Sequence, residues 1–297
     1  MSARTGADSA SPGTAAPARA GSVDLHSHST ASDGALPPEG VVETAARAGL
    51  AALALTDHDT LAGIAAARAR GAQLGVRIVA GVELSLMDGE REVHMLGLHI
   101  ANVDALEREL EAVRLSRRVR AERIVEKLNA LGVPITSGAV FAESGDGAVG
   151  RPHVARALIA GGWVRDLREA FDRYLGAGRP ANVEKQRITV ADGIRLIHET
   201  GGLAVVAHPG QDGSRERIEA LVAVGLDGVE VRHPGHSADD LARLAALTDF
   251  FGLVPSGGSD WHGAVTGPRV LGCMNVPPDW LLRQDACLAA RGAATVA

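Results

Sequence analysis

The chain is poor in residues on which several classes of function depend. Cysteine occurs twice in 297 residues, at Cys273 and Cys287, and in no Cys-x-x-Cys pair. A disulfide framework and a thiolate metal site are therefore not expected, and both thiols read as ordinary residues of a reducing compartment. Lysine occurs only at Lys127 and Lys185, and neither ends an apolar run. Positive charge is not in excess, since 30 Lys and Arg stand against 36 Asp and Glu for a net −6. No global field exists to hold long nucleic acid. No apolar run approaches the ~20 residues that cross a bilayer, and the first twenty residues lack the apolar core of a secretory signal. Residues 1–22, rich in Ala, Ser, Gly, Pro and Thr, are expected to be a disordered leader. The protein is expected to be cytoplasmic with no membrane partner, and long enough for one layered domain or one domain with an insert.

What the chain does carry is a set of metal-ligand side chains gathered where apolar runs end. Val23-Asp24-Leu25-His26-Ser27-His28 reads as an extended strand, so His26 and His28 share one face, because side chains at i and i+2 point the same way. An isolated His-x-His is more often a pair of surface histidines beside a turn. Here Thr56-Asp57-His58-Asp59, Ala207-His208-Pro209 and Ser259-Asp260-Trp261-His262 follow, each closing a run that reads as a buried strand. Chance is a poor account of four such stretches.

From residue 23 short apolar runs alternate with amphipathic segments. Strands are expected at Val23–His28, Leu50–Thr56, Arg77–Leu86 and Val93–Ile100, with helices over Pro38–Gly49 and Asp59–Gly71. The alternation breaks at 103–180, where helical patterns run over Val103–Leu131, Pro152–Ala160 and Asp166–Leu175. It resumes with helices at Val190–Thr200, Arg215–Val224 and Asp239–Phe250 between strands at Leu203–His208, Gly228–His233 and Leu253–Asp260. About seven β/α units imply a parallel sheet that closes into a barrel, with active-site residues at the C-terminal ends of its strands. The expected fold class is α/β, a barrel of residues 23–102 and 181–297 with a helical insertion at 103–180. On the first insertion helix Arg114, Arg117, Arg118, Arg120 and Arg123 read as a solvated face balanced by nearby Glu, ahead of a nucleic-acid contact.

His26-Ser27-His28, Thr56-Asp57-His58-Asp59, Gly81-Val82-Glu83, His94-Met95-Leu96-Gly97, Ala207-His208-Pro209 and Ser259-Asp260-Trp261-His262 together resemble the polymerase and histidinol phosphatase (PHP) superfamily. The insertion, with Gly150-Arg151-Pro152-His153-Val154-Ala155, resembles the branch that includes nucleoside 3',5'-bisphosphate phosphatases and a 5'-to-3' exoribonuclease. The resemblance implies a distorted (β/α)7 TIM-like barrel carrying a trinuclear site. His26, His28, Glu83 and Asp260 would hold one ion, Glu83 would bridge to a second held by His94 and His208, and Asp33, His58 and His262 would hold a third. Imidazole and carboxylate ligands suit two to three divalent ions such as Mn, Zn or Fe.

The implied chemistry is phosphoester hydrolysis in which a metal-bridging hydroxide, rather than a side chain, is the nucleophile. Arg151 and His153, at a helix start, would grip the substrate phosphate. The expected partner is a small phosphorylated nucleotide or short oligonucleotide, with histidinol phosphate as the alternative substrate. A binuclear amidohydrolase is a weaker alternative, because its usual bridge is a carboxylated lysine and neither Lys127 nor Lys185 is placed to supply one. A polymerase-associated domain lacks support in a chain with no polymerase-sized extension. His198 and His99 read as structural. His233 and His236 remain open between turn residues and support for the ligands, while Asp57 and Asp59 are expected to orient His58 or to cap the following helix.

Overall fold

The computed structural model describes residues 21–144, 149–183 and 188–296. Seven strands follow one another around a nearly closed barrel in sequence order. They are β1 (Val23–Asp24), β2 (Ala52–Leu55), β3 (Arg77–Asp88), β4 (Arg91–Leu98), β5 (Leu203–Val206), β6 (Gly228–Arg232) and β7 (Val254–Gly257). The seam between β1 and β7 is bridged by Leu25 N–H to Gly257 O at 3.0 Å, and beyond the strands by Asp260 N–H to His26 O at 3.0 Å and His28 N–H to Trp261 O at 2.9 Å.

Alternation along these short strands divides two apolar layers. Leu25, Ala54, Val79, Leu96, Leu98, Leu203 and Val205 pack together inside the barrel. Leu53, Leu55, Val82, Leu84, Val206 and Val229 belong to a separate layer beneath the surrounding helices. Those helices are α1 (Pro38–Arg47), α2 (Ile64–Leu74), α7 (Val190–Glu199), α8 (Arg215–Ala223) and α9 (Ala238–Phe250), whereas α10 (Pro278–Val296) packs Leu281 and Leu288 on the inner layer. Each fully buried Leu or Val contributes about 1.5–3 kcal/mol relative to exposure.

The sheet is not uniformly parallel, and this corrects the repeated β/α reading. β4 runs antiparallel to both β3 and β5. Only Gly89 and Glu90 separate β3 from β4, with Gly89 at φ 58°, so the connection is a hairpin turn with no room for a crossover helix. β3 is also longer than its neighbour β2, and Glu83 lies within it rather than at its end. Past the end of β2, Glu83 pairs with the following loop, accepting from Asp59 N–H at 3.0 Å and donating to Asp57 O at 3.2 Å.

The remaining helices are α3 (Val103–Ala130), α4 (Ser137–Ser144), α5 (Arg151–Ala160) and α6 (Leu167–Ala170), the last running into a π turn at Phe171–Leu175. The first half of α3 packs Leu106 and Leu110 on the barrel layer. Its second half joins Val140, Val154, Leu158 and Leu175 in a core of their own. From this second core we propose that 103–180 is an insertion subdomain on the barrel of 23–102 and 181–297. The leader expected at 1–22 lies outside the described residues apart from Gly21 and Ser22. Among the described residues no helix is long and apolar enough to cross a membrane.

Candidate metal centre

The segments that leave the strands, more than the strands themselves, build the site. β1 ends at Asp24, yet the chain stays extended through His28 because it is held on both sides. Asp24 is buried and accepts from His26 N–H at 3.3 Å, Ser259 N–H at 3.0 Å and Gly272 N–H at 2.8 Å, tying the start of the barrel to the segment after β7. Burial pushes the Asp24 carboxyl up despite these bonds. A Cβ on Gly258 would lie 2.4 Å from His26 N, so only glycine lets the two segments meet. Of the five non-glycine residues with positive φ among the described residues, three adjoin or belong to the site: Asp59 at 51°, His208 at 31° and Asp260 at 51°. Such conformations cost about 1–3 kcal/mol each and persist only where surrounding contacts impose them.

The side chains of these segments converge. His26 Nε2 is 3.1 Å from His28 Nε2 and 3.1 Å from Glu83 Oε2. His28 Nε2 is 3.3 Å from the same Glu83 oxygen, and Asp260 Oδ1 lies 3.5 and 3.2 Å from the two rings. A tetrahedron with metal–ligand bonds of about 2.1 Å has edges of about 3.4 Å, so these four donors have the spacing of one ion's ligand set. The other Glu83 oxygen, Oε1, faces His94 Nδ1 at 2.8 Å and His208 Nε2 at 2.9 Å. Asp33 Oδ1 is 3.2 Å from His262 Nε2, Asp33 Oδ2 is 3.8 Å from His58 Nε2, and His58 Nδ1 is 3.4 Å from Glu83 Oε2. All nine expected ligand residues thus stand in one cluster. Eight of them fall in three overlapping groups able to hold an ion, which are His28, Asp33, His58 and His262, then His26, His28, Glu83 and Asp260, then His58, Glu83 and His94, with His208 outside these groups and beside Glu83 Oε1. His28 Nδ1, buried and without a hydrogen-bond partner, adds an unsatisfied polar atom to a ring of donors.

Backing groups aim the rings. His26 Nδ1 donates to Glu230 Oε1 at 3.0 Å, leaving the Nε2 lone pair pointed inward, and His262 Nδ1 donates to Asp260 O at 2.9 Å with the same effect. Asp57 accepts from Ser29 N–H at 2.7 Å and Ser32 Oγ at 2.6 Å, so it pins the loop that carries Asp33 rather than capping a helix. Asp59 accepts from Ser85 N–H at 3.2 Å and pairs with Arg117 at 2.7 Å. Arg114 donates to Asp59 O at 2.6 Å. Arg114 and Arg117 are therefore intramolecular ties to the His58 loop rather than part of a solvated face. Arg114 also pairs with Glu107, while Arg118 and Arg123 are exposed, as expected of a face balanced by nearby Glu.

The groups also set one another's charge. Burial disfavours ionised Glu83, but His26, His208 and His28 hold its carboxyl well below the usual range. Burial likewise opposes charge on His26, yet Glu230 and Glu83 raise its pKa well above normal. Against burial, hydrogen bonds to Glu83 and Glu92 raise His94 to about 10. Burial raises and His262 and His58 lower Asp33, with a net fall to about 2.

Carboxylates held low stay anionic down to acid pH, whereas imidazoles held high keep protons that an ion must displace. Metal affinity should therefore rise with pH between 6 and 8, by about tenfold per unit for each proton released. Calorimetric titration in buffers of different ionisation enthalpy checks this. Affinity independent of pH, with no proton release, would contradict it.

An open cleft of ≈ 380 Å³ exposes one side of the cluster, lined by His58, Glu83, His94, His208, His236 and Arg269 among others. That volume suits a small molecule. Several contributors were not singled out from the sequence. Glu230 had a signal, being a carboxylate between Val229 and Val231 in an otherwise apolar strand, where burial demands a partner. Arg269, 2.7 Å from Asp260 Oδ2, lies outside any helix or strand and had none. Of the two histidines left open, His233 accepts from Gly235 N–H at 3.0 Å and donates to Asp260 Oδ2 at 3.3 Å. His236 donates to Val231 O at 2.9 Å and accepts from Gly210 N–H at 3.1 Å.

Arg151 and His153 sit at the start of α5, where Arg151 donates to Leu175 O at 3.1 Å and His153 Nδ1 accepts from Gly150 N–H at 2.9 Å. They are not among the residues lining the cleft. His99 pairs with Gln284 and His198 with Asp227, in keeping with structural roles. Lys127 donates to Asn182 O, and Lys185 lies outside the described residues.

The PHP domain family matches residues 24–182. The chain belongs to the PHP domain family. This PHP protein is similar to the 3',5'-nucleoside bisphosphate phosphatase of Chromobacterium violaceum, with 39% identity over 264 residues, 86% of this chain and 93% of the relative. It is 38% identical over 248 residues to the 5'-3' exoribonuclease of Haemophilus influenzae, 80% of this chain and 89% of that one. Among solved structures, a candidate metal-dependent phosphoesterase from Bifidobacterium adolescentis superposes with a TM-score of 0.70 at 31% identity, covering 91% of this chain and 97% of its own.

Proposed function

We propose that this metal-dependent phosphoesterase of the PHP family hydrolyses phosphate monoesters or phosphodiesters of nucleotides, with nucleoside 3',5'-bisphosphates or short 5'-phosphorylated oligonucleotides as substrates and 5'-mononucleotides poorer ones. The observation that carries the reading is the sharing of one buried carboxylate. Glu83 Oε2 faces His26, His28 and His58 while Oε1 faces His94 and His208, beside a cleft of small-molecule size. A donor set of imidazole and carboxylate fits two to three divalent ions of the Mn, Zn or Fe type. When bound, such ions lower the pKa of water and neutralise charge on phosphate oxygens. In the net reaction water adds to phosphorus, the ester P–O bond breaks, and the alcohol leaves with a proton. The protein's part is to hold the donor atoms in register, through Glu230, His233 and Asp57, and to keep one side of the cluster open. The nucleotide preference draws its support from the two relatives, both of which are named for nucleotide or RNA substrates.

The test is metal analysis after mild purification, joined to a panel assay of phosphate release and oligonucleotide shortening. Two to three ions per chain, loss of turnover on chelation, and bisphosphates or short oligonucleotides turned over best are the expected results. Less than one ion per chain with no gain on adding Mn, or a preference for histidinol phosphate, would overturn the proposal.

Arg151 and His153 belong to the same proposal as grips for the substrate phosphate, since the guanidinium offers a planar fork matched to phosphate oxygens and the helix start a partial positive charge. Arg151→Ala should lower turnover by about ten- to a hundredfold with metal content unchanged. Normal turnover of bisphosphate in this variant would make both residues structural parts of the insertion.

A further inference from the structure

Among the described residues that line the metal cleft, Arg269 alone carries a guanidinium or ammonium group. Its backbone is anchored although its side chain is not. Gly272 N–H is held by buried Asp24 at 2.8 Å, Cys273 N–H closes a turn on Val270 O at 3.0 Å, and Leu271 between them is buried. Upstream, Trp261 is buried and its Nε1 donates to Ala264 O at 2.8 Å. Gly267, at φ 89°, lets the chain bend between these two anchors. The Arg269 side chain is 47% exposed, and Nη1 donates to Asp260 Oδ2 at 2.7 Å. That tie is not what holds Asp260. Buried His233 donates to the same oxygen at 3.3 Å and is itself oriented by Gly235 N–H on Nδ1 at 3.0 Å. Asp260 Oδ1, the oxygen that faces His26 and His28, therefore keeps its direction if Arg269 swings away. An ion pair this exposed adds little to stability, so the guanidinium can exchange the carboxylate for another anion.

We infer that Arg269 binds the phosphate that is hydrolysed at the cluster, releasing Asp260 Oδ2 and turning its planar fork onto phosphate oxygens. The inference rests on the phosphoesterase reading above and adds to it a substrate-binding residue. One Asp260 oxygen faces the two histidine rings and the other faces Arg269, so the guanidinium stands one carboxylate away from the donor quartet and within reach of an anion seated there. The carboxylates around the cleft are Glu83 and Asp260 in its lining, Asp33 at 3.2 Å from His262, and Glu92 at 3.6 Å from His94. The first three are proposed ligands, whose charge bound ions would take up, and Glu92 neighbours His94 rather than Asp260. The two histidines of the cleft that are not proposed ligands cannot take the role. Both ring nitrogens of His236 are engaged, by Val231 O and Gly210 N–H, as are both of His233. A guanidinium suits the role because its paired donors match phosphate oxygens.

The experiment uses the full chain saturated with Mn, as wild type, Arg269→Gln and Arg269→Lys. Inorganic phosphate is the probe in calorimetry, and adenosine 3',5'-bisphosphate is the substrate in kinetics. Arg269→Gln should weaken phosphate binding and lower kcat/KM by about tenfold or more each, with Mn affinity as in wild type. Arg269→Lys should recover part of both losses, since an ammonium restores the charge without the fork. Unchanged phosphate affinity in Arg269→Gln overturns the inference. So does weakened Mn affinity in that variant with phosphate binding restored by excess Mn, which would make Arg269 a positioning residue for Asp260. A wild type that binds phosphate and hydrolyses no ester overturns the phosphoesterase reading alone, because the phosphate affinities of the variants still support or overturn the contact. A wild type that neither binds phosphate nor hydrolyses the ester overturns both.

Discussion

Glu83→Gln should lower phosphate release by about three orders of magnitude or more, because it weakens two ion positions at once. Gln has almost the shape of Glu, so the strand and the side chains around the cluster are left in place. What changes is that one of two anionic oxygens becomes an amide nitrogen that donates instead of accepting. Whichever way the amide turns, it presents N–H to His26, His28 and His58 or to His94 and His208. A factor of a thousand corresponds to about 4 kcal/mol of transition-state stabilisation, within what metal ions supply to a phosphoryl oxygen. Metal content measured by mass spectrometry should fall, and excess Mn should not restore turnover. A full complement of ions together with activity within tenfold of wild type would remove Glu83 from the bridging position.

The second large effect is expected one layer behind. Glu230→Ala should weaken metal affinity by about ten- to a hundredfold, as loss of a group that orients a ligand commonly does. Glu230 is buried, with Oε1 on His26 Nδ1 at 3.0 Å and Oε2 on His208 N–H at 2.6 Å. It therefore steadies one ring on each side of Glu83. Truncation leaves two buried donors unpaired, at about 1–3 kcal/mol each, so thermal stability should fall too. Unlike Glu83→Gln, this variant keeps every proposed ligand, and saturating Mn should recover most of the turnover. Unchanged affinity at limiting metal would reduce Glu230 to a core residue with no bearing on the site.

The contrast between these two carboxylates marks how far the amino-acid order could be read. Glu83 was found because it belongs to a run of motifs whose residue types fit metal chemistry, and the clustering of all nine expected ligands follows that reading. Glu230 lay in plain sight between two valines but matched no motif, and only its burial reveals its work. The direction of β4 was missed for a different reason. Periodicity distinguishes strand from helix and says nothing about which way a strand runs, whereas the Asp88-Gly89 step was a turn signal that bore on it. Arg114 and Arg117 were misjudged in part because charge on a helix face is legible in sequence, while a partner from elsewhere, here Asp59 on another strand's exit, is a tertiary fact. Helix ends moved by a few residues, and α4 and α10 were not foreseen at all.

The seam that joins the exit of β1 to the exit of β7 carries a thermodynamic consequence. His26 and His28 follow the first strand and Asp260 the last, so the donor quartet they form with Glu83 exists only when the barrel has closed. An ion that binds this quartet has no comparable site in the unfolded chain. Each therefore acts as a clasp, adding stability that grows as the logarithm of its free concentration, about 2.7 kcal/mol at a hundred times its dissociation constant. Scarcity of metal would then be felt first as a loosening along this seam, before the helices that pack against the outer layer give way.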